Sequence, residues 1–159
     1  MRCKKNPGIQ REGNKRRVHL EIANQQKGRP IDTREIRKIA KGVLKEEKRA
    51  IEIGVVFVDN KKIQEINKTF LRHNYATDVL SFPYQDDATT LAGEVVVSVE
   101  MAVQVAQERG CSVEGEIALY LIHGLLHLLG HDDTQKTSAA MMRQREGELL
   151  EALGYSVHL

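Results

Sequence analysis

Two cysteines, Cys3 and Cys111, are the only thiols in 159 residues, too few for the disulfide framework on which many small secreted domains depend. The chain therefore suits a reducing compartment, and neither thiol stands in a metal-binding spacing. No run approaches the roughly 18 apolar residues that a bilayer-spanning helix needs. The N-terminal stretch MRCKKNPGIQREGNKRR lacks the apolar segment and small-residue cleavage site of a secretory signal, which makes the cytoplasm the expected location. Internal repeats and biased linkers are missing as well. What is present is 41% hydrophobic and 29% charged, a soluble globular composition. At 159 residues there is material for one proper core and not for two.

Charge is unevenly spread. Residues 1–17 hold 7 of the 24 Lys and Arg but 1 of the 22 Asp and Glu, so the rest of the chain is net −4 although the whole is +2. A basic arm over 1–17 and a single domain over 18–159 are the expected organisation. Such an arm gains affinity for a polyanion by displacing phosphate counterions, and it reads equally well as a solvated tail.

Val18-His19-Leu20-Glu21-Ile22 alternates with period two and predicts a half-buried strand that closes in Lys27-Gly28-Arg29-Pro30. Asp32, with Glu35 three residues on, predicts a helix start with a capping box. Ile36, Ile39, Ala40, Val43 and Leu44 then recur at helical spacing and carry the helix to about residue 49. Its other face bears Arg34, Arg37, Lys38, Lys41, Lys45 and Lys48, a basic stripe suited to a phosphate backbone or simply to solubility. Strand 51–58 follows, then a helix through Ile63, Ile66 and Phe70, and a strand over 77–83 that the proline ends. A flexible acidic loop at 85–90 leads into the β-branched strand 93–98, which can pair with its predecessor as a hairpin. Helices are expected over 99–109, 114–129 and 134–153, with Gly110, Gly130 and Gly154 as their stops. The order βαβαββααα predicts an α/β fold, an α+β sandwich in which a mixed four-stranded sheet packs with about five helices.

The chemistry concentrates in residues 120–133, where two histidines interrupt an apolar helix. Four residues turn an α-helix by about 400° and raise it about 6 Å, so His123 and His127 project from one face and can converge on one ion. Gly130 can end the helix in a left-handed conformation and return the chain to the same ion. His131, Asp132 and Asp133 follow. The spacing H-x-x-x-H-x-x-G-x-x-ligand selects Asp133, with His131 as second choice. One Zn²⁺ per chain is the expected cofactor, since two imidazoles and a carboxylate suit it.

Zinc proteases carry Glu in the second place of H-E-x-x-H as the base for the attacking water, whereas Gly124 stands there in this chain. Conventional proteolysis thereby loses its base. An open three-ligand metal can still lower the pKa of bound water and stabilise charge on a phosphoryl oxygen, so phosphodiester cleavage fits. Two rivals are a metallopeptidase or amidohydrolase that borrows a base such as Glu94, and a non-catalytic RNA-binding factor with a structural metal.

His123-Gly-Leu-Leu-His127-Leu-Leu-Gly130-His-Asp-Asp133, together with Thr77-Asp-Val-Leu-Ser-Phe-Pro83 and Gly93-Glu-Val, resembles the YbeY family of bacterial single-strand-preferring endoribonucleases over roughly residues 50–153. The resemblance implies a zinc site, maturation of ribosomal RNA at the small-subunit 3′ end, ribosome quality control, and single-stranded or ribosomal RNA and the small ribosomal subunit as partners. Many members have a third histidine where this chain has Asp133. The family often has an arginine six residues before the threonine of T-D-V-L-S-F-P, where this chain has Leu71 with Arg72 as its neighbour. Arg72 is the candidate phosphate contact, His73 has no better claim, and Ser81 and Glu94 are candidates for orienting ligands or lining the groove.

Overall fold

The computed structural model describes residues 16–156, so most of the expected basic arm, Cys3 included, lies outside the described residues. The described chain runs β1 (Val18–Asn24), α1 (Thr33–Val43), β2 (Ala50–Val58), α2 (Asn60–Leu71), β3 (Val79–Asp86), β4 (Thr90–Ser98), α3 (Val99–Arg109), α4 (Val113–Leu128) and α5 (Lys136–Ala152). The strands form one sheet in the order β1-β2-β4-β3. β1, β2 and β4 are parallel, and β3 pairs antiparallel with β4 at the edge. This is the expected α/β fold with a mixed four-stranded sheet and five helices.

Strand alternation sorts the side chains between two layers. Ile51, Ile53, Val55 and Phe57 of β2, with Leu91, Val95 and Val97 of β4, pack against α1, α3, α4 and α5 in the main core. On the other face α2 covers only one end, where Ile63 and Ile66 meet Val58, Leu80, Val96 and Phe82. α4 is the central helix, touching β3, β4, α1, α3 and α5. Its Leu121, Ile122 and Leu125 are fully buried, each contributing about 2 kcal/mol through burial. A helix apolar on nearly every side must be enclosed, and α4 is. No helix of the described residues is long and apolar enough to cross a membrane.

Four local expectations are corrected. α1 stops at Val43 rather than near residue 49, because the Glu47 carboxylate accepts from the backbone N–H of Lys48 and Arg49 and from the Arg49 side chain, which turns the chain toward β2. Asp32 caps α1 through Arg34 N–H and Glu35 N–H, but Glu35 does not close the box: it accepts from Tyr155 Oη at 2.7 Å. β3 continues through Pro83 to Asp86 with an irregularity in its pairing after the proline, since an edge strand can do without one donor. The expected loop at 85–90 is a tight turn, in which Asp87 Oδ1 accepts from Thr89 N–H, Thr90 N–H and the Thr89 hydroxyl. These bonds and one from Gln85 hold the Asp87 carboxyl well below the usual range.

Candidate metal centre

α4 carries His123 and His127 one turn apart, with their Nε2 atoms 3.0 Å from each other. The helix then ends in a Schellman turn: Gly130, at φ 94°, donates to His127 O and His131 N–H donates to Leu126 O. That reversal returns Asp133, whose Oδ2 lies 3.5 Å from His123 Nε2 and 3.6 Å from His127 Nε2. Tetrahedral zinc with bonds of about 2.0–2.1 Å has ligand atoms about 3.3 Å apart. The triangle and its two-imidazole, one-carboxylate chemistry therefore fit one such ion, with a position left open.

The neighbours of Asp133 are otherwise engaged. Asp132 caps the turn, accepting from Thr134 N–H at 3.0 Å and from its hydroxyl at 2.7 Å, bonds that lower its pKa. His131 is exposed and stands outside the three-residue group. The fold thus distinguishes among three consecutive polar residues that the sequence leaves side by side.

Sequence reasoning missed Glu146. It reaches across from α5, is 4% exposed, and its Oε1 lies 2.5 Å from His123 Nδ1. A carboxylate there accepts the Nδ1 proton and leaves Nε2, the atom facing Asp133 and His127, free to bind a metal. Burial opposes protonation of His123, but the hydrogen bond and charge of Glu146, with the charges of Asp133 and Asp78, outweigh it and hold the pKa above the ordinary histidine value. Only the recurrence of Glu146 on the apolar face of α5, with Met142, Leu149 and Leu150, could have signalled it.

The three candidate ligands open on a cavity of about 500 Å³ walled by β3 through Val79, Ser81 and Pro83. A second cavity of about 450 Å³ shares Thr77, Asp78 and His123 with it and adds Arg109, Arg143, Glu116 and Glu146. Asp78 and the two arginines were also not singled out from the sequence. Ser81 does line the groove, and its hydroxyl donates to Gly124 O at 2.8 Å. A Cβ on Gly124 would lie 2.5 Å from Val95 Cγ1 and 3.0 Å from Val79 Cγ2. α4 thus rests directly on the sheet at the place where a zinc protease has its glutamate, and the position faces packed strands.

The remaining candidates lie elsewhere. Arg72 is the exposed C-cap of α2, at φ 59°, and lines neither cavity. His73 is beside it, stacked on Tyr75. Glu94 is on the sheet face away from α4, with its side chain across Gly54.

Known proteins are similar to this chain in sequence and fold. A family model described as Endoribonuclease YbeY matches residues 21–154, reaching further toward the N-terminus than the motifs alone suggest. The chain is 40% identical over 138 residues to the Endoribonuclease YbeY of Carboxydothermus hydrogenoformans, covering 84% of this chain and 96% of that protein. It is 44% identical over 110 residues to that of Alkaliphilus metalliredigens, covering 65% and 71% respectively. A solution structure of a Thermotoga maritima protein is similar at a TM-score of 0.57 and 25% identity, over 84% of this chain and 91% of that one. The match runs from β1 to just past α5 and takes in both histidines, the glycine turn and Asp133; the chain belongs to the endoribonuclease YbeY family.

Proposed function

We propose that this protein is a zinc-dependent endoribonuclease that prefers single strands and acts in ribosomal RNA maturation, at the small-subunit 3′ end, and in ribosome quality control. The cytoplasm and the small ribosomal subunit are its setting, and residues 18–159 act as one domain. The observation that carries the reading is the His123, His127 and Asp133 triangle, with separations of 3.0, 3.5 and 3.6 Å, at the wall of an open groove, in a chain whose relatives bear the name endoribonuclease.

His123, His127 and Asp133 would hold the ion, which would supply Lewis-acid stabilisation of charge on a phosphoryl oxygen. Glu146 fixes the His123 ring and its proton at Nδ1. Arg109 and Arg143, on the wall next to His123, attract a phosphate and orient it. Arg72, the exposed C-cap of α2 outside both cavities, is the RNA-backbone contact suggested by the family resemblance. The peptidase alternative is less well supported because Glu94, its borrowed base, lies on the far side of the sheet. A purely structural metal is disfavoured because three donors leave a position open, where structural zinc sites have four.

Elemental analysis paired with cleavage of a single-stranded ribosomal RNA fragment tests this. Zinc near one per chain, with cleavage by wild type and none by His123→Ala, is expected. Absence of bound metal with equal cleavage by both proteins would overturn it. Mapping the product ends separates water attack from attack by the RNA 2′-hydroxyl, since a 2′,3′-cyclic phosphate arises only from the latter.

A further inference from the structure

The chain has 7 Phe and Tyr and no Trp, and their distribution is uneven. Phe57 and Tyr120 are buried, whereas Phe70, Tyr75, Phe82 and Tyr84 fall within fifteen consecutive residues. Three of these stay open to solvent: Phe70 is 69%, Tyr75 55% and Tyr84 68% exposed. Folding normally removes such side chains from water, so their exposure on adjoining segments calls for an occupant.

The rings sit on an ordered support. α2 ends at Arg72, the only non-glycine residue with positive φ among the described residues, a conformation that costs an L-residue about 1–2 kcal/mol. The turn after it is held by Asn67, 1% exposed, whose O accepts from His73 N–H and whose Nδ2 donates to Tyr75 O at 3.0 Å. His73 and Tyr75 stack with planes 13° apart, and Phe70 meets Phe82 edge-on at 5.7 Å. Lys68 and Arg72 are exposed on the same end of α2, which supplies cations beside flat rings. Phe70 and Phe82 lie on the sheet face that α2 covers and the groove at His123 and His127 on the face of α4, with β3 as the edge strand between them, so a chain seated on the rings reaches the groove by crossing that edge at Thr77 and Pro83, which line it.

We propose that Phe70, Tyr75 and Tyr84 form a stacking platform for unpaired nucleobases on the RNA strand that leads to the metal centre, and that this platform selects single strands. The inference rests on the endoribonuclease reading and adds the means of substrate choice. Flat rings beside cations are the chemistry that takes single-stranded nucleic acid without regard to sequence, because every base has a π-face and every linkage a charge. A duplex keeps its bases stacked on each other and cannot use the rings. The turn fixed by Asn67 has little ordering left to lose on binding.

The test is fluorescence anisotropy of a labelled oligoadenylate of about twelve nucleotides with the full chain, Phe70→Ala, Tyr75→Ala, Tyr84→Ala and Tyr75→Trp, with the oligonucleotide checked intact by gel. Each alanine variant is expected to bind about ten-fold or more weakly, Tyr75→Trp to bind like wild type, and affinity for a duplex of equal length to be unchanged. The salt dependence should keep its slope in the alanine variants, because no phosphate contact is lost, and flatten in Lys68→Gln. Near-wild-type affinity in all three alanine variants overturns the platform, even where a protein partner is lost. If wild type nevertheless cleaves single strands and His123→Ala does not, the endoribonuclease reading stands without it. A wild type with neither affinity nor cleavage removes both.

Discussion

Glu146 offers the sharpest test of how the fold prepares its histidines. Its carboxylate is 4% exposed and lies 2.5 Å from His123 Nδ1. A hydrogen bond to a charged group contributes about 1.5–3 kcal/mol, and loss of such a partner to a metal-binding histidine typically costs 10- to 100-fold in affinity. The two ranges agree, since 10- to 100-fold corresponds to about 1.4–2.7 kcal/mol. Glu146→Gln keeps an acceptor of the same shape and removes the charge, so its loss should fall near the lower end. Glu146→Ala removes both and frees the His123 ring to turn, and should reach the upper end. Competition for zinc against a chromophoric chelator measures the affinity, and circular dichroism verifies that each variant is folded. Folded Glu146→Ala protein that binds zinc within about two-fold of wild type would refute the argument that this carboxylate sets the ring.

Gly124→Ala should destabilise the protein although alanine favours helix, because a Cβ would meet Val95 Cγ1 at 2.5 Å in a packed core. Overpacking of about 1–3 kcal/mol outweighs a propensity gain of up to about 1, and a melting point several degrees lower is the expected readout. Asp133→Ala should weaken zinc binding in the same chelator assay, while Asp133→His should restore it, since imidazole suits the third position. Acid stability offers a test away from the metal centre. The hydrogen bond from Arg49 is the main cause that lowers the Glu47 pKa from 4.5 to about 2. A depressed carboxylate contributes stability that is present above its unfolded value and is lost as pH falls through its folded one. Arg49→Met should therefore move the acid-unfolding midpoint upward within the window between about 4.5 and 2, and an unchanged midpoint would count against the Glu47–Arg49 pair.

Local rules made much of this molecule legible without coordinates. Periodicity marked β1, α1 and α2, and β-branched composition, a proline and glycine stops marked the rest, because all these signals depend on near neighbours alone. The i, i+4 histidines and the glycine stop pointed to one helix face and one chain reversal for the same reason. Where an element ended was less legible: Glu47 shortened α1 through hydrogen bonds from its neighbours Lys48 and Arg49, which hydrophobic spacing does not register, and an edge position let β3 pass through Pro83, which depends on what lies beside the strand. Spacing after the glycine already selected Asp133 over His131 and Asp132, and the structure brings that residue to the two histidines; tertiary structure alone brought Glu146 from α5 onto His123, set Arg109 and Arg143 on the wall beside it, and left Arg72 and Glu94 off the cavities. A sequence carries spacing within an element, whereas a site assembled from α4, α5 and the edge of a sheet exists only once packing has fixed how those elements meet.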